Sequence, residues 1–143
     1  MNRRQAILAG ISLVLFLILG IFVRIKRPKK LKIEKFVRDW QELQLFCKDK
    51  TTWPDALSAA DELLDKALKR RKFKGKSMGE RLVSAQRTLT NNDGVWYAHN
   101  LCKKVIEKPA TRLREADVKS ALIGFRQALK DIGALPNGES KDA

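Results

Sequence analysis

The feature that most constrains this chain is an uninterrupted apolar run near its N-terminus. Residues 6–23 read AILAGISLVLFLILGIFV and contain no charge and no proline. At about 1.5 Å rise per residue, a helix of this length spans roughly 27 Å, close to the thickness of the hydrocarbon core of a bilayer. A buried soluble helix does not fit, because every face is apolar and basic residues flank both ends. The run therefore predicts a transmembrane helix.

A cleaved signal peptide is the second interpretation of a basic start followed by an apolar run. The end of this run, Phe22-Val23-Arg24, offers no small-x-small cleavage site. The run is also longer than a usual signal core. The sequence therefore favours an uncleaved anchor.

Charge is concentrated around the apolar run. The chain has 30 Lys and Arg against 16 Asp and Glu, and residues 1–30 contain seven of the basic residues and no acidic one. These membrane-flanking residues are Arg3, Arg4, Arg24, Lys26, Arg27, Lys29 and Lys30. Because more of them follow the run than precede it, the positive-inside rule places residues 31–143 on the cytoplasmic face of the plasma (inner) membrane. The remaining 113 residues are only moderately basic, so net charge alone does not indicate nucleic-acid binding.

No alternating run long enough for a strand follows residue 30. Amphipathic helices are predicted at about 31–49, 53–72, 78–90, 94–107 and 114–132. The predicted fold class is all-α, with one N-terminal transmembrane helix followed by an up-and-down bundle of about five amphipathic helices. The predicted organisation is a basic N-terminus at 1–5, the membrane helix at 6–23, a basic juxtamembrane linker at 24–30, the bundle at 31–135 and a disordered tail at 136–143.

Two helix starts carry sequence signals for capping. Thr52-x-x-Asp55 and Ser77-x-x-Glu80 both match the capping-box pattern, and Pro54 suits a first turn. Gly133 is predicted to cap the last helix at its C-terminus.

A run of cations without acids is predicted at the end of the 53–72 helix and in the loop after it. Its members are Lys66, Lys69, Arg70, Arg71, Lys72, Lys74 and Lys76. Such a run can contact anionic lipid head groups or RNA, although cations at a helix C-terminus also stabilise the helix itself. Only Phe73 interrupts the run, so base stacking is unsupported. For a membrane-tethered domain, lipid contact is at least as well favoured as RNA.

Two carboxylates, Asp61 and Asp65, lie one helical turn apart and are candidates for a divalent cation. Ordinary surface pairing explains them better, and Asp61 can instead pair with an arginine or with His99 at a seam between helices. We expect a structural polar seam formed by Asp61, Asp65, Arg81 and His99. The sequence predicts no catalytic residue, no metal site and no cofactor, and it predicts that Cys47 and Cys102 are reduced thiols on apolar faces.

Several short motifs between Trp53 and Leu135 carry a resemblance. They are Ala60-Asp61-x-x-Leu64-Asp65-x-Ala67-Leu68, Gly79-Glu80-Arg81-Leu82, Val95-Trp96-x-Ala98-His99-x-Leu101 and Ala128-Leu129-x-x-Ile132-Gly133. In these the chain resembles uncharacterised single-span membrane proteins of candidate-phylum bacteria. Their helical domain is similar to the HEPN (higher eukaryotes and prokaryotes nucleotide-binding) class.

The resemblance implies a helical fold but not the ribonuclease activity of the HEPN class. Active HEPN ribonucleases have an Arg-x4–6-His motif, whereas Cys102 stands here at the arginine position and Glu107 at the histidine position. A phosphate-binding arginine and a general base are both absent from these positions. The resemblance therefore implies a degenerate, non-catalytic member.

The expected function is a membrane-anchored, non-catalytic interaction or scaffold module on the cytoplasmic face. The alternative is a membrane-tethered nucleic-acid-binding domain derived from a HEPN-like ribonuclease fold. The expected partners are the lipid bilayer, anionic lipid head groups and a protein whose identity the sequence does not indicate, with RNA less favoured. Ala6-x-x-x-Gly10 also permits a homo-oligomer through the membrane helix.

Overall fold

The structure is a computed structural model that describes residues 2–26 and 31–138. Within these residues every regular element is helical, and the prediction of an all-helical fold is confirmed for them. The six α-helices are α1 (Arg3–Lys26), α2 (Ile33–Leu45), α3 (Trp53–Arg70), α4 (Met78–Ala85), α5 (Asn92–Glu107) and α6 (Glu115–Asp131). Two 3-10 turns, Phe46–Lys48 and Lys50–Thr52, connect α2 to α3.

Helix α1 contains the apolar run and is longer than predicted at both ends. It begins at Arg3, where the carbonyl of Asn2 accepts the first backbone hydrogen bond from Gln5, and it continues through Arg24 to Lys26. Within its span Arg3–Arg24, the 18-residue apolar window has a mean hydropathy of 2.9, and none of that window is buried. By length and composition, α1 is able to cross a membrane.

The other five helices pack around one apolar core, and we call residues 31–135 the α2–α6 unit. Helix α3 contacts α2, α4, α5 and α6, and α5 packs along α6. The largest fully buried side chains include Phe125 of α6, Leu57 and Leu64 of α3 and Leu82 of α4. Each helix buries one face, as the spacing of its apolar residues predicts.

Two apolar residues that follow the helical spacing of the core residues lie outside the core. Ile33 is 46% exposed and Ile106 is 63% exposed, because both lie near a helix end where no neighbouring helix covers them. Conversely, Leu31 and Ala134 lie outside the α-helices and are buried. Periodicity identifies the apolar face of a helix but not how far along that face the neighbour reaches.

Helices α5 and α6 approach closely where each has a glycine. A Cβ on Gly124 would collide with the backbone carbonyl of Gly94. This contact sets the spacing at which the α5 and α6 side chains interdigitate.

The helix ends agree only in part with the predicted caps. Ser77 Oγ accepts a hydrogen bond from the backbone N–H of Glu80 at 3.2 Å. The predicted Thr52 cap is wrong, because Thr52 Oγ1 instead donates to the carbonyls of Phe46 and Asp49 in the preceding turns. Gly133, with φ +80°, ends α6 as predicted, and the N–H of Ala134 donates to the carbonyl of Leu129 at 2.8 Å. Of the predicted tail, 136–138 is described and non-helical, and 139–143 lies outside the described residues.

Candidate functional site: a basic surface beside a buried polar seam

The predicted basic run forms one continuous surface at the end of α3 and in the turn after it. Lys66, Lys69 and Arg70 belong to the last turns of α3, and Arg71 is its C-terminal cap. Six of the seven basic residues are exposed, and Arg70 is half-buried. Cations at this end of a helix interact favourably with its dipole.

The turn that follows α3 is built from hydrogen bonds around Lys72. The N–H of Lys72 donates to the carbonyl of Lys69 at 3.0 Å, and the N–H of Phe73 donates to that of Leu68 at 3.1 Å. This is the Schellman arrangement, in which the residue at the Lys72 position adopts a left-handed conformation. Lys72 has φ 61°, although glycine is the residue that tolerates this conformation without strain.

The rest of the basic loop is held against α4. The N–H of Lys76 donates to Glu80 Oε2 at 2.7 Å, and Ser84 Oγ donates to the carbonyl of Lys74. A Cβ on Gly75 would lie 2.7 Å from the backbone nitrogen of Arg81, so this position has no room for a side chain. The cations of the loop therefore project from a fixed backbone.

The first pair of the predicted polar seam joins α3 to α4. Arg81 Nε donates to Asp65 Oδ1 at 2.6 Å, and its Nη1 donates to the carbonyl of Gly75 at 2.7 Å. Lys69 Nζ lies 3.1 Å from the other oxygen of Asp65. Burial of Asp65 disfavours its charge, but the hydrogen bonds and charges of Arg81 and Lys69 outweigh that effect and hold its pKa below the ordinary value.

The second pair joins α3 to α5. His99 Nδ1 lies 2.8 Å from Asp61 Oδ1, and the edge of the His99 ring meets the Trp96 ring with 6.1 Å between their centroids. His99 is only 7% exposed. The four seam residues thus form two separate pairs, one between α3 and α4 and the other between α3 and α5.

Cys102 lies one turn after His99 on α5, with its Sγ 3.9 Å from Ser58 Oγ. Burial, together with a smaller effect of the charge of Asp61, raises the pKa of the Cys102 thiol to about 11, whereas the contact with Ser58 acts in the opposite direction. A thiol with this pKa is protonated near neutral pH and is a poor nucleophile. Cys47 is half-buried, and both cysteines are free.

The positions that distinguish this chain from the HEPN motif have different environments. Cys102 is fully buried, and Glu107 is the exposed last residue of α5. Neither side chain presents a positive charge to a phosphate. In the part of the chain that the structure describes, no three His, Cys, Asp or Glu side chains converge as metal ligands.

The membrane-flanking residues divide between the ends of α1 and the linker. Arg3 and Arg4 lie in the first turn of α1, and Arg24 and Lys26 lie in its last turn. The other three, Arg27, Lys29 and Lys30, lie outside the described residues.

Two cations that were not predicted as contact residues lie beside the basic run. Lys32 and Lys35, at the start of α2, line one pocket together with Lys66, Lys69 and Arg70. A signal for this was present, because short connections make successive helices antiparallel and bring the start of α2 beside the end of α3.

No protein family, curated protein or solved structure matches the chain.

Proposed function

We propose that the chain is a single-pass membrane protein whose α2–α6 unit is an up-and-down bundle serving as a non-catalytic interaction module on the cytoplasmic face of the plasma (inner) membrane. The observation that carries the proposal is the contrast between α1 and the other helices. None of the apolar window of α1 is buried, whereas each other α-helix buries its apolar face. In water, exposing an apolar helix of this length would be strongly unfavourable, and a bilayer removes that cost.

Charge supports the orientation. Arg24, Lys26 and the basic linker follow the span closely, whereas Arg3 and Arg4 are the only basic side chains before it. The positive-inside rule favours a cytoplasmic α2–α6 unit. Reduced Cys47 and Cys102 agree with that compartment.

The polar side chains in the interior support a non-catalytic module. Asp61 and Asp65 are each occupied by a partner on another helix. Cys102 is buried beside them with a raised pKa. These groups hold α4 and α5 against α3, and the contact element for a partner is the exposed basic surface.

Photo-crosslinking in intact bacterial cells tests this function. A photo-reactive residue at Lys74, on the basic surface, is compared with one at Ser120, an exposed position of α6 that lies outside it. We expect discrete adducts with protein or lipid from position 74 and none from position 120, in the membrane fraction. Adducts formed mainly with RNA would instead favour the membrane-tethered nucleic-acid-binding domain. Recovery of the chain in the soluble fraction would contradict the anchor itself.

A further inference from the structure

A basic pocket lies between the start of α2 and the end of α3. Its volume is about 380 Å³. Lys32 and Lys35 line it from α2, and Lys66, Lys69 and Arg70 line it from α3. Two helices that are separate in sequence therefore direct five cationic side chains to one cavity.

The positive charge of this pocket is largely uncompensated. Asp39 is the one carboxylate among its lining residues. Lys69 is partly neutralised by Asp65, at 3.1 Å. Within residues 2–26 and 31–138, the other four cations make no ion pair.

Helix stability does not explain the α2 side of the pocket. Cations belong at the C-terminus of a helix, which accounts for Lys69 and Arg70 on α3. Lys32 is the N-cap of α2 and Lys35 lies in its first turn, where the helix dipole opposes a positive charge. Five cations at one place repel one another, and an anion bound among them would relieve that repulsion.

The pocket combines its charge with an apolar wall. Phe36 of α2 and Leu63 of α3 also line it, and both are buried. No exposed aromatic ring is available there for a nucleic-acid base to stack on. The chemistry suits a ligand that has a phosphate and an adjoining apolar part.

The pocket lies at the membrane end of the α2–α6 unit. Lys26 ends α1, and only four residues separate it from Leu31, which is already buried in the core. Five Cα–Cα steps span at most about 18 Å. If α1 crosses the bilayer, the start of α2 is therefore held within reach of the lipid head groups.

We propose that this pocket binds the phosphate of an anionic lipid head group from the bilayer that α1 spans. This inference rests on the proposed membrane anchor. Lys32, Lys35, Lys66 and Arg70 bind the head-group phosphate, and Phe36 and Leu63 contact the glycerol and first acyl carbons. The bound head group fixes the orientation of the α2–α6 unit on the membrane surface.

Titration calorimetry on the full chain in non-ionic detergent tests the proposal, with soluble dihexanoyl phosphatidylglycerol and dihexanoyl phosphatidylcholine as probes. The pocket variant combines Lys32→Gln, Lys35→Gln, Lys66→Gln and Arg70→Gln. The matched control combines Lys103→Gln, Lys104→Gln, Lys108→Gln and Arg112→Gln, which removes the same charge from exposed positions in and after α5, outside both the basic run and the pocket.

We expect the wild-type chain to bind the anionic lipid about tenfold or more tightly than the zwitterionic one. The pocket variant loses about tenfold or more of that affinity, and the control stays within about threefold of wild type. Equal losses in the two variants would show diffuse attraction and overturn the pocket. Equal binding of the two lipids would also overturn it.

Three further measurements keep the outcome interpretable. Competition by inorganic phosphate or by an RNA oligonucleotide as strong as that by the anionic lipid would overturn the head-group assignment. Far-ultraviolet circular dichroism checks that the variants fold. If the pocket variant does not fold, the single variant Arg70→Gln replaces it and is expected to lose about threefold or more of the affinity for the anionic lipid. Membrane fractionation of the same proteins separates the two proposals. If the wild-type chain is recovered in the membrane fraction but does not bind the anionic lipid preferentially, the membrane anchor stands and the lipid-binding pocket is overturned.

Discussion

Arg81 Nε donates to Asp65 Oδ1 at 2.6 Å, and this hydrogen bond holds the short helix α4 against α3. Helix α4 has only eight residues, from Met78 to Ala85. A helix of two turns is not stable alone in water, so tertiary contacts must hold it. The guanidinium of Arg81 supplies such a contact and also orders the basic loop through the carbonyl of Gly75.

Arg81→Ala is expected to lower the free energy of unfolding by about 2–4 kcal/mol, because it leaves the partly buried carboxylate of Asp65 with only the exposed Lys69 as a partner. Thermal unfolding of the full chain in non-ionic detergent measures the effect. Arg87→Ala removes the same charge from an exposed position just after α4 and should stay within about 0.5 kcal/mol of wild type. Equal effects of the two variants would show that the Asp65 pair does not stabilise α4.

Acid should weaken the same contact. Because the pKa of folded Asp65 lies below its ordinary value of 3.8, the unfolded chain takes up the proton more readily than the folded one. The stabilisation is therefore present above about pH 4 and is lost as the pH falls below it. Unfolding followed between pH 6 and pH 2.5 should show a shallower acid loss for Asp65→Asn than for wild type. The control Glu62→Gln, on the exposed face of α3, should keep the wild-type slope, and an unchanged slope for Asp65→Asn would contradict this account.

Lys72→Gly should stabilise the chain by about 0.5–1 kcal/mol, since glycine adopts the left-handed conformation at φ 61° without a Cβ clash. The same substitution at Lys74, which also removes one positive charge, should not stabilise. The two variants are compared by chemical unfolding in detergent. Destabilisation by Lys72→Gly would mean that its side chain contributes more than its backbone strain costs.

The purified full chain is expected not to cleave RNA. His99 is buried with its Nδ1 on Asp61, so His99→Ala should lower the free energy of unfolding by about 1–3 kcal/mol instead of affecting a reaction. Mixed RNA substrates are incubated with wild type and with this variant. Cleavage by wild type that disappears in His99→Ala would contradict the non-catalytic proposal.

Much of the helical fold could be predicted, because the apolar spacing of each helix depends only on local sequence. The predicted 53–72 helix is observed as Trp53–Arg70, whereas the predicted 78–90 helix ends at Ala85. The prediction of a Thr52 cap is wrong because the Thr52 hydroxyl donates to the carbonyls of Phe46 and Asp49. These acceptors belong to the two 3-10 turns and the residue between them, which no local sequence pattern indicates. Short-range rules describe a helix face well but not the competition for hydrogen bonds at its ends.

The pairing within the polar seam was predictable only in part, because the sequence left open whether Asp61 pairs with an arginine or with His99 and did not indicate that Asp65 pairs with Arg81. Asp61 and Asp65 lie one turn apart on α3, yet one contacts α5 and the other contacts α4. Their directions depend on where α4 and α5 cross α3, and that depends on the whole core. Lys32 was not among the predicted contact residues, because its proximity to Arg70 exists only once α2 lies beside α3.

The most direct test of the central claim is the protease accessibility of the α2–α6 unit in bacterial cells that express the full chain. The account predicts that the chain remains in the membrane at full length, that residues 31–138 are protected in intact spheroplasts and that protease digests them in inverted membrane vesicles. Digestion in intact spheroplasts, or release of a soluble fragment cut after the apolar run, would contradict the anchored cytoplasmic module.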